Sequence, residues 1–197
     1  MAFSGFTHLD AARIAFNGYS GTWFFCGGQA IDLFLGRPVR LRNDIDIGIF
    51  RDEQDLLRER FPKILITYVK PNGGGVYYSW EEGQVLEPPI HELYLNLPGE
   101  RLEVLLNDAS ATHWVYRRNA LVTRELHRAV LQSGFENTPY LSPEIVLLYK
   151  SKHMRDRDQI DFDAAAPHLS AEQKGWLREA LDVSYQKNAH PWSAALR

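Results

Sequence analysis

Trp23-Phe24-Phe25-Cys26-Gly27-Gly28-Gln29-Ala30-Ile31-Asp32-Leu33-Phe34-Leu35-Gly36-Arg37 is followed after a short gap by Asn43-Asp44-Ile45-Asp46-Ile47-Gly48-Ile49-Phe50. The apolar run Trp23 to Cys26 meets a glycine pair. The segment Ala30 to Leu35 then has no breaker before Gly36, so the stretch reads as strand, glycine turn and helix. The N-terminus of a helix that opens from glycines offers unpaired backbone N–H groups and a positive dipole end, which suits a phosphate. A Gly-Gly pair alone is more often only a tight turn, and it needs support from elsewhere in the chain.

The second run supplies that support. Its strict alternation predicts a strand with Ile45, Ile47 and Ile49 on one face and Asp44 and Asp46 on the other. Two like charges side by side repel unless water or a cation separates them. Hard carboxylate oxygens on a rigid strand suit Mg²⁺, with substrate phosphates completing its shell. An exposed edge strand with Ile inward and Asp outward would explain the pattern without a metal. Asp is nevertheless poorly suited to strands, and two in alternation call for a reason.

The rest of the chain sets bounds. Its 197 residues, 45% hydrophobic and 24% charged, suffice for one large or two small domains of ordinary globular composition. A net charge of -3 gives no electrostatic case for a long nucleic acid or an anionic membrane, and favours a small or cationic acceptor. Residues 1–8 have neither a basic start nor a long apolar core, and no segment has the length of a membrane span, which reads as a cytoplasmic protein. The single cysteine, Cys26, has no partner for an internal disulfide and reads as a small hydrophobe. Helices are expected over 10–18 and 52–60, and strands over 63–69 and 76–80 around the glycine triplet 73–75. That triplet opens no helix and lacks a following Lys-Ser/Thr, so it reads as a turn. After Ser133-Gly134 the composition becomes helix-like. Ser142 and Pro143 are expected at the start of one helix, and the capping box Ser170 to Gln173 opens another. His113, His153 and His190 lack zinc-site spacing.

A glycine pair at a strand-to-helix turn followed by an Asp-x-Asp strand resembles the DNA polymerase β-like nucleotidyltransferase superfamily. Gly27-Gly28-Gln29-Ala30-Ile31-Asp32, Leu35-Gly36-Arg37, Arg40 and Asn43 to Ile47 resemble more closely the aminoglycoside and lincosamide antibiotic nucleotidyltransferases. The similarity continues in Trp114-Val115-Tyr116-Arg117-Arg118, Leu141-Ser142-Pro143-Glu144, Leu147 to Lys150, Arg157-Asp158, Asp161-Phe162 and His190-Pro191-Trp192. It implies an α+β fold, a mixed sheet with flanking helices, with a catalytic domain over 1–133 and a C-terminal helical region over 134–197. There are two departures. Arg42 stands where relatives commonly carry His, and Gly28 stands where the wider superfamily often has Ser.

The resemblance implies a two-metal reaction that needs a third carboxylate on a neighbouring strand. Glu103, the sole acid inside the apolar strand Arg101 to Leu106, is the candidate. Glu92 is the alternative, and Asp108, read as lying in a loop, is a poorer one. A surface pairing of Glu103 with Arg101 is the competing explanation. The implied activity is transfer of a nucleoside monophosphate, AMP from ATP, to a hydroxyl of a small acceptor such as an aminoglycoside- or lincosamide-like antibiotic. Asp44, Asp46 and Glu103 are expected to hold two Mg²⁺ ions, and Gly27, Gly28, Gln29, Arg40 and Lys150 the nucleotide. Lys150, Lys152, Asp158 and Asp161 match charged positions in relatives; Asp158 and Asp161 are expected to face a cationic acceptor or to close the site, with a solvated charged face as the plain alternative. Arg117 and Arg118 read slightly better as sheet surface than as a phosphate-facing patch. Two other functions fit the same residues: a toxin-like nucleotidyltransferase acting on RNA or protein through Arg37, Arg40 and Arg42, and a non-catalytic nucleotide-binding relative.

Overall fold

Alternating apolar residues place Ile47 and Ile49 in full burial beside Phe24 and Phe25, and a mixed sheet grows on both sides of that pair of strands. The structure, a computed structural model, describes Phe6, residues 9–187 and residues 189–197. The segment 1–8 read above for an export signal therefore lies, Phe6 apart, outside the described residues. Among the described residues no helix is long and apolar enough to cross a membrane.

Helix α1 (Asp10–Phe16) lays Ala12 and Phe16 on the core. Strand β1 (Trp23–Phe25) turns at once into α2 (Gly27–Leu35). Strand β2 (Asp46–Phe50) returns antiparallel to β1, with Phe25 opposite Ile47. It begins two residues later than expected, so Asp44 is exposed ahead of the strand rather than on it. A 3-10 turn over Arg51–Glu53 leads into α3 (Gln54–Arg60). Strands β3 (Ile66–Val69) and β4 (Tyr77–Ser79) form the expected hairpin around the glycine triplet. Strands β5 (Glu92–Leu97) and β6 (Glu100–Ala109) pair across the Pro98-Gly99 turn. Asp108 lies on β6 opposite Val115, not in a loop, and it pairs with Arg51.

The chain continues through β7 (His113–Val115), β8 (Thr123–Glu125), α4 (Leu126–Ala129), β9 (Val130–Gln132) and β10 (Pro139–Leu141). The sheet order is β4-β3-β5-β6-β2-β1-β10-β9, with β7 on β6 and β8 on β7. Thus the segment after residue 133 first adds a strand, parallel to β1, before it becomes helical. The helices are α5 (Pro143–Lys150), α6 (Asp156–Ala165), α7 (Ala171–Tyr185) and α8 (Pro191–Ala195), with a 3-10 turn at Ala166–His168.

Ser142 occupies the N-cap of α5, but its buried hydroxyl makes no capping bond; Pro143 alone sets the helix start. The box at Ser170 and Gln173 forms as expected. His190 donates from Nε2 to the Ser151 carbonyl and accepts at Nδ1 from Trp192 N, and the Trp192 ring stacks on Phe162 at 4.2 Å. That motif therefore anchors the C-terminus.

One buried ion pair fastens the helices to the sheet. Arg124 on β8 donates to Glu144 on α5 at 2.6 Å, and Gln173 on α7 donates to the other Glu144 oxygen at 2.8 Å. Glu144 has no exposed surface and Arg124 only 6%. Removing one member leaves the other to be buried without its counter-charge. Arg124→Ala is expected to cost about 3–5 kcal/mol in urea unfolding, and the isosteric double change Arg124→Met with Glu144→Leu much less.

Candidate active site

The β1-to-α2 turn is built around other side chains. Gly27 has φ +54, and a Cβ there would stand 1.9 Å from Oδ2 of Asp46. A Cβ on Gly28 would stand 2.3 Å from Nη1 of Arg42. The glycine pair is thus the gap into which a carboxylate and a guanidinium fit. Cys26 N donates to the Asp46 carbonyl at 2.8 Å, which fixes the turn to the start of β2. Gln29 is buried and donates from Nε2 to the Asp44 carbonyl, so its amide holds the acidic segment rather than facing the cleft.

Parallel pairing of β2 and β6 sets Asp46 directly beside Glu103, and antiparallel pairing of β5 and β6 sets Glu92 beside Leu105. Asp46, Glu103 and Glu92 all line one cleft of about 350 Å³, at whose edge α2 begins with Gly27. Burial, then the charge of Asp44, pushes the Asp46 carboxyl up to about 6. Burial, then Asp46 and Glu92, pushes Glu103 up to about 8. Arg101 offsets this only in part and forms no ion pair with Glu103 among the described residues. Its guanidinium lies over the Tyr94 ring at 4.8 Å and the Tyr77 ring at 5.8 Å. Glu92 accepts a hydrogen bond from the Tyr94 hydroxyl.

The three acids expected to bind metal are not gathered into one cluster. Asp44 is absent from the cleft lining, and among the described residues no group of three or more His, Cys, Asp or Glu is arranged to hold a metal ion. Asp46 and Glu103 do fit one in their chemistry: two largely buried carboxylates on paired strands, each raised by burial and by neighbouring acids, are a donor set that a divalent cation and phosphate oxygens complete.

The basic wall comes from the C-terminal helices. Lys150 lines the cleft and pairs with Asp158 at 3.1 Å and Asp161 at 2.9 Å. Both aspartates are completely buried. Asp158 also takes Arg155, and Asp161 takes Arg40 at 3.1 Å and Arg42 at 2.9 Å. Arg42 forks onto Asp32 of α2 as well, at 2.6 and 2.9 Å. Arg40, Asp158 and Asp161 are therefore drawn into an ionic lattice behind Lys150, and none of the three lines the cleft. Arg117 and Arg118, by contrast, do line it, which corrects their reading as sheet surface. His91, Asn107, His153 and Arg155 also line it. Of these, Arg155 borders a recognised motif, whereas His91 and Asn107 carried no signal beyond lying on or next to strands.

This fold is that of the antibiotic nucleotidyltransferases. It matches the crystal structure of ANT(2'')-Ia in complex with adenylyl-2''-tobramycin with a TM-score of 0.60 over 91% of this chain and 97% of that one, at 15% identity. It matches the lincosamide antibiotic adenylyltransferase LnuA, lincomycin-bound, with a TM-score of 0.54 over 80% and 93%, again at 15% identity. The solution structure of the antibiotic-resistance factor ANT(2'')-Ia gives 0.55 over 94% and 95% at 15% identity. No model of a known protein family and no curated protein matches the sequence.

Two outcomes follow from this geometry. The raised pKa values mean that the folded state holds protons on Asp46 and Glu103 which the unfolded chain releases near pH 4. In the presence of a chelator, stability should therefore fall as pH rises from about 4 through about 8. Glu103→Gln should raise the Tm more at about pH 8.5 than at about pH 5, each 1 kcal/mol appearing as about 2–4 °C. Gly27→Ala should displace the Asp46 carboxylate and cost about 1–3 kcal/mol by overpacking, read as a lowered midpoint in urea unfolding.

Proposed function

We propose that this protein is a Mg²⁺-dependent nucleotidyltransferase that moves AMP from ATP to a hydroxyl of a small acceptor. The reading is carried by the side-by-side placement of Asp46 and Glu103 on parallel strands next to the N-terminus of α2. The shared fold with adenylyltransferases supports it.

Each residue then has a task set by its position. The N–H of Gly27, the first residue of α2 and the one that lines the cleft, lacks an intrahelical partner and offers a triphosphate the positive end of the helix dipole, while Gly28 packs behind it against Arg42. Lys150 adds a point charge, and Asp158 and Asp161 hold its ammonium group in place rather than touching the acceptor. Arg40 and Arg42 brace Asp161 in turn. Asp46 and Glu103 would hold the divalent cation, and Asp44, outside the cleft lining, acts on Asp46 only through its charge. When bound, that cation supplies neutralisation of the paired carboxylates and of charge on the phosphoryl oxygens.

Glu103, on the acceptor side of Asp46, takes the proton of the attacking hydroxyl. The acceptor oxygen forms its bond to the α-phosphorus, the bond from that phosphorus to the bridging oxygen breaks, and pyrophosphate leaves with the electron pair. The proton passes from Glu103 to solvent. Calorimetric titration of ATP and GTP with and without Mg²⁺ tests the assignment. Metal-dependent binding that Asp46→Asn abolishes, with pyrophosphate release reduced more than about 100-fold, is expected. Absence of nucleotide binding under every condition would sink the transferase reading.

A further inference from the structure

The cleft that holds Glu103 also carries two cations, Arg117 and Arg118, to which the transfer reaction as assigned above gives no task. Strand β6 runs from Glu103 past Leu105 to Asn107, away from the start of α2. At the level of Leu105 and Leu106, β5 brings in Glu92, and the His91 carbonyl accepts from Leu106 N at 2.9 Å. The segment after β7 brings in Arg117 and Arg118. Both guanidiniums are packed against the Tyr149 ring, at 5.5 and 5.2 Å.

These two arginines differ from the other cations of the cleft wall. Lys150 and Arg155 each have a carboxylate partner. Arg118 donates only to neutral oxygens, the Tyr116 hydroxyl at 3.2 Å and the Tyr149 carbonyl at 3.0 Å. Arg117 makes no hydrogen bond or ion pair among the described residues. Glu92, the nearest acid in charge, is held by Tyr94. Partial burial lowers the pKa of Arg117, and the nearby charge of Glu92 offsets only part of that loss of water. A guanidinium fork in that condition is matched by a carboxylate or a phosphate, which it binds through two parallel hydrogen bonds.

We propose that Arg117, with Arg118 beside it, seats an anionic group of the acceptor, which is then a hydroxyl compound that also bears a carboxylate or phosphate. This rests on the transferase reading and names its substrate class. It replaces the expectation of a cationic acceptor, since the aspartates expected to greet one, Asp158 and Asp161, are buried against Lys150 and its neighbours.

The test uses inorganic phosphate as the probe, titrated into the protein with Mg²⁺ and saturating α,β-methylene-ATP and followed by NMR. Saturable phosphate binding in the presence of the analogue, weakened about tenfold or more by Arg117→Gln with the analogue still bound, is expected from the loss of one charge-assisted pair. Arg117→Lys, which keeps the charge but not the fork, should fall between. Phosphate that is displaced by the analogue, or an Arg117→Gln change that weakens the analogue instead, assigns Arg117 to the triphosphate and overturns the proposal. Absence of saturable phosphate binding with the analogue bound overturns it too. Failure of the analogue itself to bind overturns the transferase reading, and the acceptor role falls with it.

Discussion

Repulsion between Asp46 and Glu103 is the constraint around which the site is organised. Neither carboxylate is free to turn away: one is fixed by the Cys26 to Asp46 backbone bond and the glycine gap, the other by its position between β2 and β5. Burial raises the pKa of both. Chains rarely keep such a pair for stability alone, because apolar residues in those places would be less costly. The surroundings do not relieve the pair by contact. Arg101 is diverted onto aromatic rings and Lys150 is shared by two other aspartates, so the strain stays available for a bound cation to relieve.

Around this pair lies a second ionic arrangement whose role is mechanical. Asp32 on α2, Arg42 in the following loop, Asp161 and Asp158 on α6 and Lys150 on α5 form a continuous chain of charge contacts. It ties α2, which begins at the edge of the cleft, to α5 and α6. Arg42 bridges Asp32 and Asp161, and its permanent charge suits a buried link between two carboxylates. Its effect reaches the cleft through Gly28 and Lys150, without direct contact.

Much of this was visible in the chain itself. The strand, turn and helix around Gly27 and the acidic strand that follows rest on local periodicity, and local rules suffice for them; Glu103 as the neighbour of that strand came from the family resemblance, and the pairing of β2 with β6 sets it beside Asp46. The limits appear where partners are remote in sequence. Asp158 and Asp161 look alike as a solvated face or as acceptor ligands until Arg40 and Arg42, more than a hundred residues earlier, are seen to meet Asp161. Arg117 and Arg118 follow a strand, and alternation says which face a residue takes but not whether that face is covered by α5. Asp44 was placed on the strand because alternation extends two residues further than the hydrogen bonding does.

The pairing of β1 with β10 has a consequence for how the protein is made. Phe25 lies beside Tyr140, so one edge of the strand that leads into the glycine turn stays open until more than a hundred further residues have left the ribosome. During that interval an apolar edge made of Trp23, Phe24 and Phe25 is exposed to other nascent chains. The protein should therefore depend on holdase chaperones during synthesis more than its modest size suggests, and truncations that end before β10 should aggregate rather than yield a smaller working domain.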